Sequence, residues 1–562
     1  MIDLSIKPFY FDENKIKYIE NILEKMSLEE KIGQLFCPIG TTTEKKELKE
    51  FIQKYKPGGM MFRPLEKHVI KDTYRFIQEE SCYPLLLAAN IESGGIGICQ
   101  DGTYFSRQMA IAATGNKKHA YLLGQICGKE ANAVYCNWSF APILDIDFNY
   151  MNPITNVRTY GSHINTIIEC ASEQIKGLRE NRVIPCIKHF PGDGVDFRDQ
   201  HLLSSVNSLS KEKWDESYGK IYQKFIDDGV ETLMVGHILL PEYTRFFHPD
   251  INDSDILPAS LSKEVLTDLL RNTLGFNGLV VTDATPMLGY NVALPRSKAI
   301  PLSIENGCDM ILFNKNIDED YQFMRDGIRD GILSIERVNE AVTRILAVKM
   351  KAGLFEKIMP LYNLEIIGCQ LHHDLAYQCA KDSITLVKEE CDVLPLSVDK
   401  YKKIRLIQVG DNDNGGFKEI GCQSHIKDFL EKEGFEIEEF DQENLDMYEV
   451  FEAGVDFIKS KSDLVIYIAN FDTASNNTTR RLHWIEFMAA NGPWFINEVP
   501  TIFISMSNPY HLVDVPMIKT FINCYNPTEE VYTSLVNKLM GREEFVGHSP
   551  IDPFCGLWDT RR

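Results

Sequence analysis

"VIPCIKHFPGDGVDFRDQH", residues 183–201, begins as a nearly unbroken apolar run and ends in a loop dense with titratable side chains. Apolar along its whole length rather than at alternate positions, the run 183–190 reads as a strand covered on both faces. Seven more such runs occur in the first 315 residues: "IGQLFCPI" (32–39), "GGMMF" (58–62), "PLLLAAN" (84–90), "FAPILDI" (140–146), "TLMVGHI" (232–238), "GLVVTDA" (278–284) and "MILFN" (310–314). Longer segments of helical periodicity lie between them, such as 210–229 and 261–275, the latter opened by Ser262 as an N-cap and closed by Gly275. Eight buried strands alternating with helices are what a (β/α)8 TIM-type barrel requires; a doubly wound sheet is the alternative within the α/β class.

After the eighth run, "SIERVNEAVTRILAVKMKAGLF" (334–355) predicts a long amphipathic helix that closes the barrel. The expected division is a barrel catalytic domain over 1–355, a connector over 356–400 and a smaller C-terminal three-layer α/β domain over 401–562. The last carries the runs "KIRLIQVG" (403–410), "DLVIYIANF" (463–471), "TIFISMSN" (501–508) and "KTFINCY" (519–525). Its "VGDNDNGG" (409–416) fits neither P-loop nor EF-hand spacing and reads as an ordinary strand-to-helix turn.

Composition narrows the function classes. With 81 acidic and 59 basic residues in 562, the net charge of −22 repels nucleic acid and anionic membranes. No basic leader followed by an apolar core opens the chain, and no uncharged apolar stretch is long enough to span a bilayer, so a soluble cytoplasmic protein is expected. The 14 cysteines are scattered singly with no CxxC pair. They read as reduced, buried small hydrophobes; no metal site and no cofactor are expected.

Barrel enzymes gather their chemistry at the C-terminal strand ends. Here Asn90 and Glu92 end the third run, Asp145 and Asp147 the fourth, Lys188 and His189 the fifth, His237 the sixth, Asp283 the seventh and Asn314 the eighth. Asp283 reads as a nucleophilic carboxylate or as the cap of the following turn. Asp199 and His201, two apart and therefore on the same side of an extended chain, read as a proton-transferring pair or as a loop salt bridge. Gly192 and Gly194 make that loop mobile in this reading. Arg158, Lys188 and His189 offer donors to an oxygen-rich ligand, with pairing to neighbouring acids as the other reading.

"KHFPGDGVDFRDQH" (188–201) resembles the K-H-F-P-G-H-G-x4-D-x-H stretch of glycoside hydrolase family 3, in its β-N-acetylglucosaminidase branch. "MSLEEKIGQLF" is similar to the family's opening helix, "FAPILDI" with "NPITNVRTYG" to its Arg-bearing strand and loop, "PASLSKEVLTDLLRNTLGFNGLVVTDATPM" to its nucleophile segment, and "RILAVKMKAGLF" to its closing helix. The resemblance covers about residues 25–355. It implies Asp283 as nucleophile, His201 as acid/base and Asp199 as its partner, with Arg158, Lys188, His189, Asn90, Asp193 and His237 lining the sugar subsite. In the β-glucosidase branch a glutamate from a later domain does the acid/base work; Glu486 is the candidate here, and the dyad makes it unnecessary. Two departures stand out. The family's P-G-H-G is Pro191-Gly192-Asp193-Gly194, and its sugar-binding Asp is Asn90, in "NIESGG", an uncharged amide.

What the resemblance implies is a retaining exo-β-N-acetylglucosaminidase that forms a glycosyl-Asp283 intermediate on a terminal N-acetylglucosamine, with cell-wall fragments as the expected source. Phosphorolysis is the alternative. A carboxylate acid/base would repel an incoming phosphate by about 4 kcal/mol per charge pair at 4 Å and an effective dielectric near 20, whereas an imidazole would not. A family 3 glucosidase or xylosidase, a silent sugar-binding protein and a metal-dependent hydrolase using His189, His201, His237 and Asp283 are the remaining readings.

Overall fold

The computed structural model describes residues 2–356, 359–410 and 426–561, and its chain falls into two compact units. The first comprises 1–105, 120–149 and 164–372, the second 106–119, 150–163 and 373–562. Most of the loop read as a strand-to-helix turn at 409–416 lies outside the described residues.

In the first unit the eight barrel strands are β1 (Phe36–Cys37), β2 (Gly59–Met61), β3 (Leu86–Ala89), β4 (Trp138–Ser139), β5 (Ile184–Phe190), β6 (Thr232–Val235), β7 (Leu279–Thr282) and β8 (Ile311–Leu312), and a short parallel pair, Ser205–Val206 with Ile238–Leu239, lies outside the ring. Strands β2 to β7 form one parallel sheet in chain order. Its two edges are joined through β1 and β8, which pair with each other (Phe36 opposite Ile311), while Ile39 bridges to Met61 of β2 and Val281 of β7 bridges to Met310. The ring therefore closes, as the barrel reading expects, and among the described residues none of its eight strands is an open edge.

Seven predicted runs contain their strand, and the fourth is displaced. β4 precedes "FAPILDI", because Pro142 has no N–H to offer a ladder. Past Ser139 the pairing continues only as separate bonds, from Cys186 N to Ala141 O (3.1 Å), from Lys188 N to Pro142 O (3.2 Å) and from Leu144 N to Lys188 O (2.6 Å). The closing helix α1 (Ile335–Lys351) forms as expected, capped by Ser334.

The base of β7 is fastened by one buried carboxylate. Asp309 Oδ1 accepts from Arg337 (2.6 Å) and Arg344 (3.2 Å) of α1, and Oδ2 accepts from Arg271 (2.7 Å) and from the backbone N–H of Val280 in β7 (2.9 Å). Burial alone would raise the Asp309 carboxyl, but the guanidinium groups of Arg271, Arg344 and Arg337 hold it down at about 2.

In the second unit a six-stranded sheet runs β9–β14–β13–β12–β10–β11, with β9 (Thr385–Glu389) antiparallel to β14 (Thr520–Asn523). The remaining strands, β10 (Lys403–Gly410), β11 (Glu436–Glu439), β12 (Leu464–Asn470), β13 (Thr501–Ser505) and β14, are parallel to their neighbours. Leu464, Ile466 and Ile468 enter one apolar core and Val465, Tyr467 and Ala469 the other, so β12 feeds both faces at period two. This is the smaller three-layer domain. The segments 106–119 and 150–163 belong to this unit, where Met109, Ala110, Ala113 and Val157 pack with Tyr510, Tyr525 and Ile551.

Replacing Asp309 with Ala strands three buried guanidinium groups. Urea denaturation is expected to register a loss of about 3–5 kcal/mol. The contribution of this carboxylate is fully present above about pH 4 and is lost as pH falls through about 2.

Candidate active site

Strand β5 delivers two side chains in sequence. Between Ile187 and Phe190 its ladder to β6 shifts register, and both Lys188 and His189 find partners among the neighbouring strand ends. Lys188 Nζ donates to Glu92 Oε1 at 2.6 Å. His189 Nδ1 lies 2.7 Å from Asp145 Oδ2; since an ionised carboxylate only accepts, Nδ1 carries the proton there, and Nε2 faces Asp283 Oδ2 at 3.9 Å.

Asp283 follows β7, held by its N–H donating to Val235 O (2.8 Å), while its Oδ1 accepts from Ala284 N (2.7 Å). Its side chain is 13% exposed, enough to be reached from outside. Burial alone would raise the carboxyl, but the surrounding imidazoles, His189 foremost, and the Ala284 N–H hold it below the usual carboxylate range. The carboxylate therefore stays ionised at neutral pH and can be reached from outside.

The dyad is formed. His201 Nδ1 and backbone N both address Asp199 Oδ1, at 2.7 and 2.9 Å, with Asp199 fully buried and His201 27% exposed. His201 Nε2 makes no hydrogen bond within the described residues. The loop carrying the pair is docked on the segment after Asp283: His201 O accepts from Leu288 N (3.0 Å) and Ser204 Oγ donates to Gly289 O (2.8 Å). Gly192 and Gly194 serve close packing here rather than mobility. A Cβ at Gly192 would sit 2.2 Å from the Tyr218 ring, one at Gly194 2.0 Å from Ile146 O, and both residues have positive φ.

His237 and Asp193, grouped with the sugar contacts from sequence, have their polar atoms engaged by protein. His237 is buried, its Nε2 donating to Ala284 O (3.2 Å) and its Nδ1 accepting from Ser260 (2.8 Å); burial pushes its imidazole down to about 4. Asp193 accepts from Gly194 N through Oδ1 (2.7 Å) and from Gln200 Nε2 through Oδ2 (3.2 Å). Asn90 is half-buried at the end of β3, with no side-chain hydrogen bond within the described residues. Arg158 lies in segment 150–163 of the second unit, its Nη1 donating to Ile154 O (3.1 Å). Two supporting residues have no counterpart in the sequence reading of the site, Gln200 and Ser260, whose neutral side chains give no pattern; Glu92 figures there as a strand-end residue, without its pairing to Lys188. Among the described residues no group of three His, Cys, Asp or Glu is arranged to hold a metal ion.

Residues 27–348 match the glycosyl hydrolase family 3 N-terminal domain. The chain belongs to glycosyl hydrolase family 3. It is 42% identical to the β-N-acetylglucosaminidase/β-glucosidase of Cellulomonas fimi, with both chains covered in full. Among solved structures it is similar to β-glucoside phosphorylase BglX, with 44% identity, a TM-score of 0.93 and 99% of each chain covered. It shares the fold of a family 3 β-N-acetylglucosaminidase from Paenibacillus sp. str. FPU-7, with a TM-score of 0.78 at 23% identity over 95% of this chain and all of that one. The chain is therefore a family 3 glycoside hydrolase, and no described helix is long and apolar enough to cross a membrane.

Ser260→Ala leaves His237 Nδ1 buried without its donor, and a loss of about 1–3 kcal/mol is expected in chemical denaturation. Because folding holds His237 near 4 against about 6.5 in the unfolded chain, its contribution is intact above about pH 6.5 and declines as pH falls toward 4. That slope is expected to disappear from the stability–pH curve of His237→Gln.

Proposed function

We propose that this chain is a retaining β-glycosidase acting on terminal β-linked N-acetylglucosamine, with glucose as a second accepted sugar. Asp283 attacks the anomeric carbon while His201, oriented by Asp199, protonates the departing glycosidic oxygen. The resulting imidazole then takes a proton from water, which releases the sugar from Asp283 with the β configuration restored. The observation carrying this reading is the docking of the dyad-bearing loop onto the segment that follows an ionised, accessible Asp283. Lys188, His189 and Asn90 are the proposed sugar contacts within the first unit. The relative from Cellulomonas fimi, named for both activities, supports the pair of sugars.

Phosphate as the acceptor is a second reading, favoured by the likeness to a β-glucoside phosphorylase and by an imidazole in the place of a second carboxylate. An imidazole adds no negative charge beside the incoming anion.

Asp283→Ala is expected to lose turnover on aryl N-acetylglucosaminides by at least about 10⁴-fold; full activity in that variant would end the proposal. His201→Ala should slow substrates with poor leaving groups by roughly 10²- to 10⁴-fold and activated aryl glycosides far less, since only the former need the proton. Product analysis in phosphate buffer separates the acceptors: sugar 1-phosphate marks phosphorolysis, and free sugar alone marks hydrolysis.

A further inference from the structure

Gln200 stands between the two members of the dyad, buried, and both ends of its amide are used. Nε2 donates to Asp193 Oδ2 at 3.2 Å, within the same loop, and Oε1 accepts from the backbone N–H of His237 at 2.8 Å, at the end of β6. His237 in turn donates to the carbonyl of Ala284, the residue after Asp283. Asp193 is fixed from its own side, its N–H on Asp145 Oδ1 (2.8 Å) and its Oδ1 on Gly194 N. A continuous run of hydrogen bonds therefore leads from the carboxylate of Asp193 through Gln200 and His237 to the backbone beside Asp283. His201 and Asp199 are the immediate chain neighbours of its central amide.

Resting on the acid/base role proposed for His201, we propose that Gln200 and Asp193 are positioning residues that latch the dyad loop in its docked place, setting His201 relative to Asp283. An amide suits this place because the two ends need opposite chemistry: a donor toward an ionised carboxylate and an acceptor toward a backbone N–H. Placed at the position where the family's motif has an imidazole, the acid of Asp193 then serves the loop rather than the sugar. A loop bearing an acid/base group gains from such fixing, because misplacement by about 1 Å can cost on the order of 10²-fold in rate.

The polarity of the pair supplies the test. In Gln200→Glu a carboxylate faces the Asp193 carboxylate. In Asp193→Asn any rotamer of the two amides leaves one donor against a donor, since Gly194 N and His237 N both still require acceptors. Combining Asp193→Asn with Gln200→Glu resolves both conflicts. The amide now at position 193 keeps its oxygen toward Gly194 N and gives its NH2 to the carboxylate now at position 200, whose other oxygen accepts from His237 N, with the net charge of the pair unchanged. The readout is the ratio of kcat/KM on an activated aryl N-acetylglucosaminide to that on a glycoside with a poor leaving group. Each single variant is expected to raise this ratio by about 10- to 100-fold, and the double variant to return it to within about 3-fold of the original.

Hydrogen exchange of amides 192–204 accompanies the kinetics, with protection expected in the original chain and in the double variant. Unchanged ratios in both single variants overturn the proposal. So does a folded double variant that fails to recover, or a loop that exchanges freely in the original chain. His201→Ala separates this failure from that of the underlying reading: if its own ratio does not move, the role of His201 is what fails. If it moves while the Gln200 and Asp193 variants stay put, only the latch fails.

Discussion

One buried carboxylate shared among three guanidinium groups sets the frame on which everything else in the barrel depends. Asp309 binds Arg271, Arg337, Arg344 and the backbone of Val280 at once, so the base of β7, the turn into β8 and the closing helix are tied to a single point. The pull of three positive groups outweighs the cost of burying one negative one, which is why this acid titrates so low. Strand β7 is only four residues long, with Asp283 immediately beyond it. An anchor at one end of so short a strand limits how far the carboxylate at the other end can wander. Stability is concentrated at the strand starts and chemistry at the strand ends, as closed barrels of this kind separate them.

At the strand ends, three histidines show how environment divides one residue type among different tasks. His237 is buried with both ring nitrogens bonded to protein, which fixes a neutral tautomer and makes it part of the scaffold. His189 is oriented by Asp145 and turns its other nitrogen toward Asp283. His201 is oriented by Asp199 in the same manner, but it stands on a partly exposed loop with Nε2 unengaged. Of the three, His201 has the most exposed free nitrogen, the one best placed to exchange a proton with something that arrives from outside. The carboxylate–imidazole contact is common to two of them, so what separates their roles is access rather than pairing.

Much of this was legible in the sequence, and the failures have physical causes. The barrel announced itself because strands covered on both faces must be apolar throughout, a pattern visible without tertiary knowledge. β4 was misplaced because apolarity does not reveal that Pro142 breaks the ladder. In the second sheet, β9 and β11 escaped notice as "TLVKE" and "EIEE", edge strands whose charged residues interrupt the apolar pattern. The assignment of 106–119 and 150–163 to the second unit depends on packing with residues hundreds of positions away, which no local pattern encodes. Asp283 stood out as a titratable group at a strand end, and Asp199 with His201 as an acid and an imidazole two positions apart in the loop after β5; the structure adds that the latter two meet. The partnership of His189 with Asp145, 44 positions apart, and the bridging role of Gln200 could not.

The two departures from the family's motif carry different weight once the contacts are known. Asp193 has both carboxylate oxygens bonded within its own loop, so its replacement of an imidazole bears on how the loop is held more than on which sugar is bound. Asn90 is the reverse case, since its amide has no side-chain partner within the described residues and remains open to a ligand. On the proposed reading, a charged carboxylate there would grip a sugar hydroxyl strongly and penalise any sugar unable to donate to it. An amide grips less strongly but can either donate or accept. Loosened recognition at that edge leaves discrimination to the remaining contacts. On that same reading, tolerance of more than one β-linked sugar would follow from a single lost charge, with the groups proposed to attack and to transfer the proton left as they were.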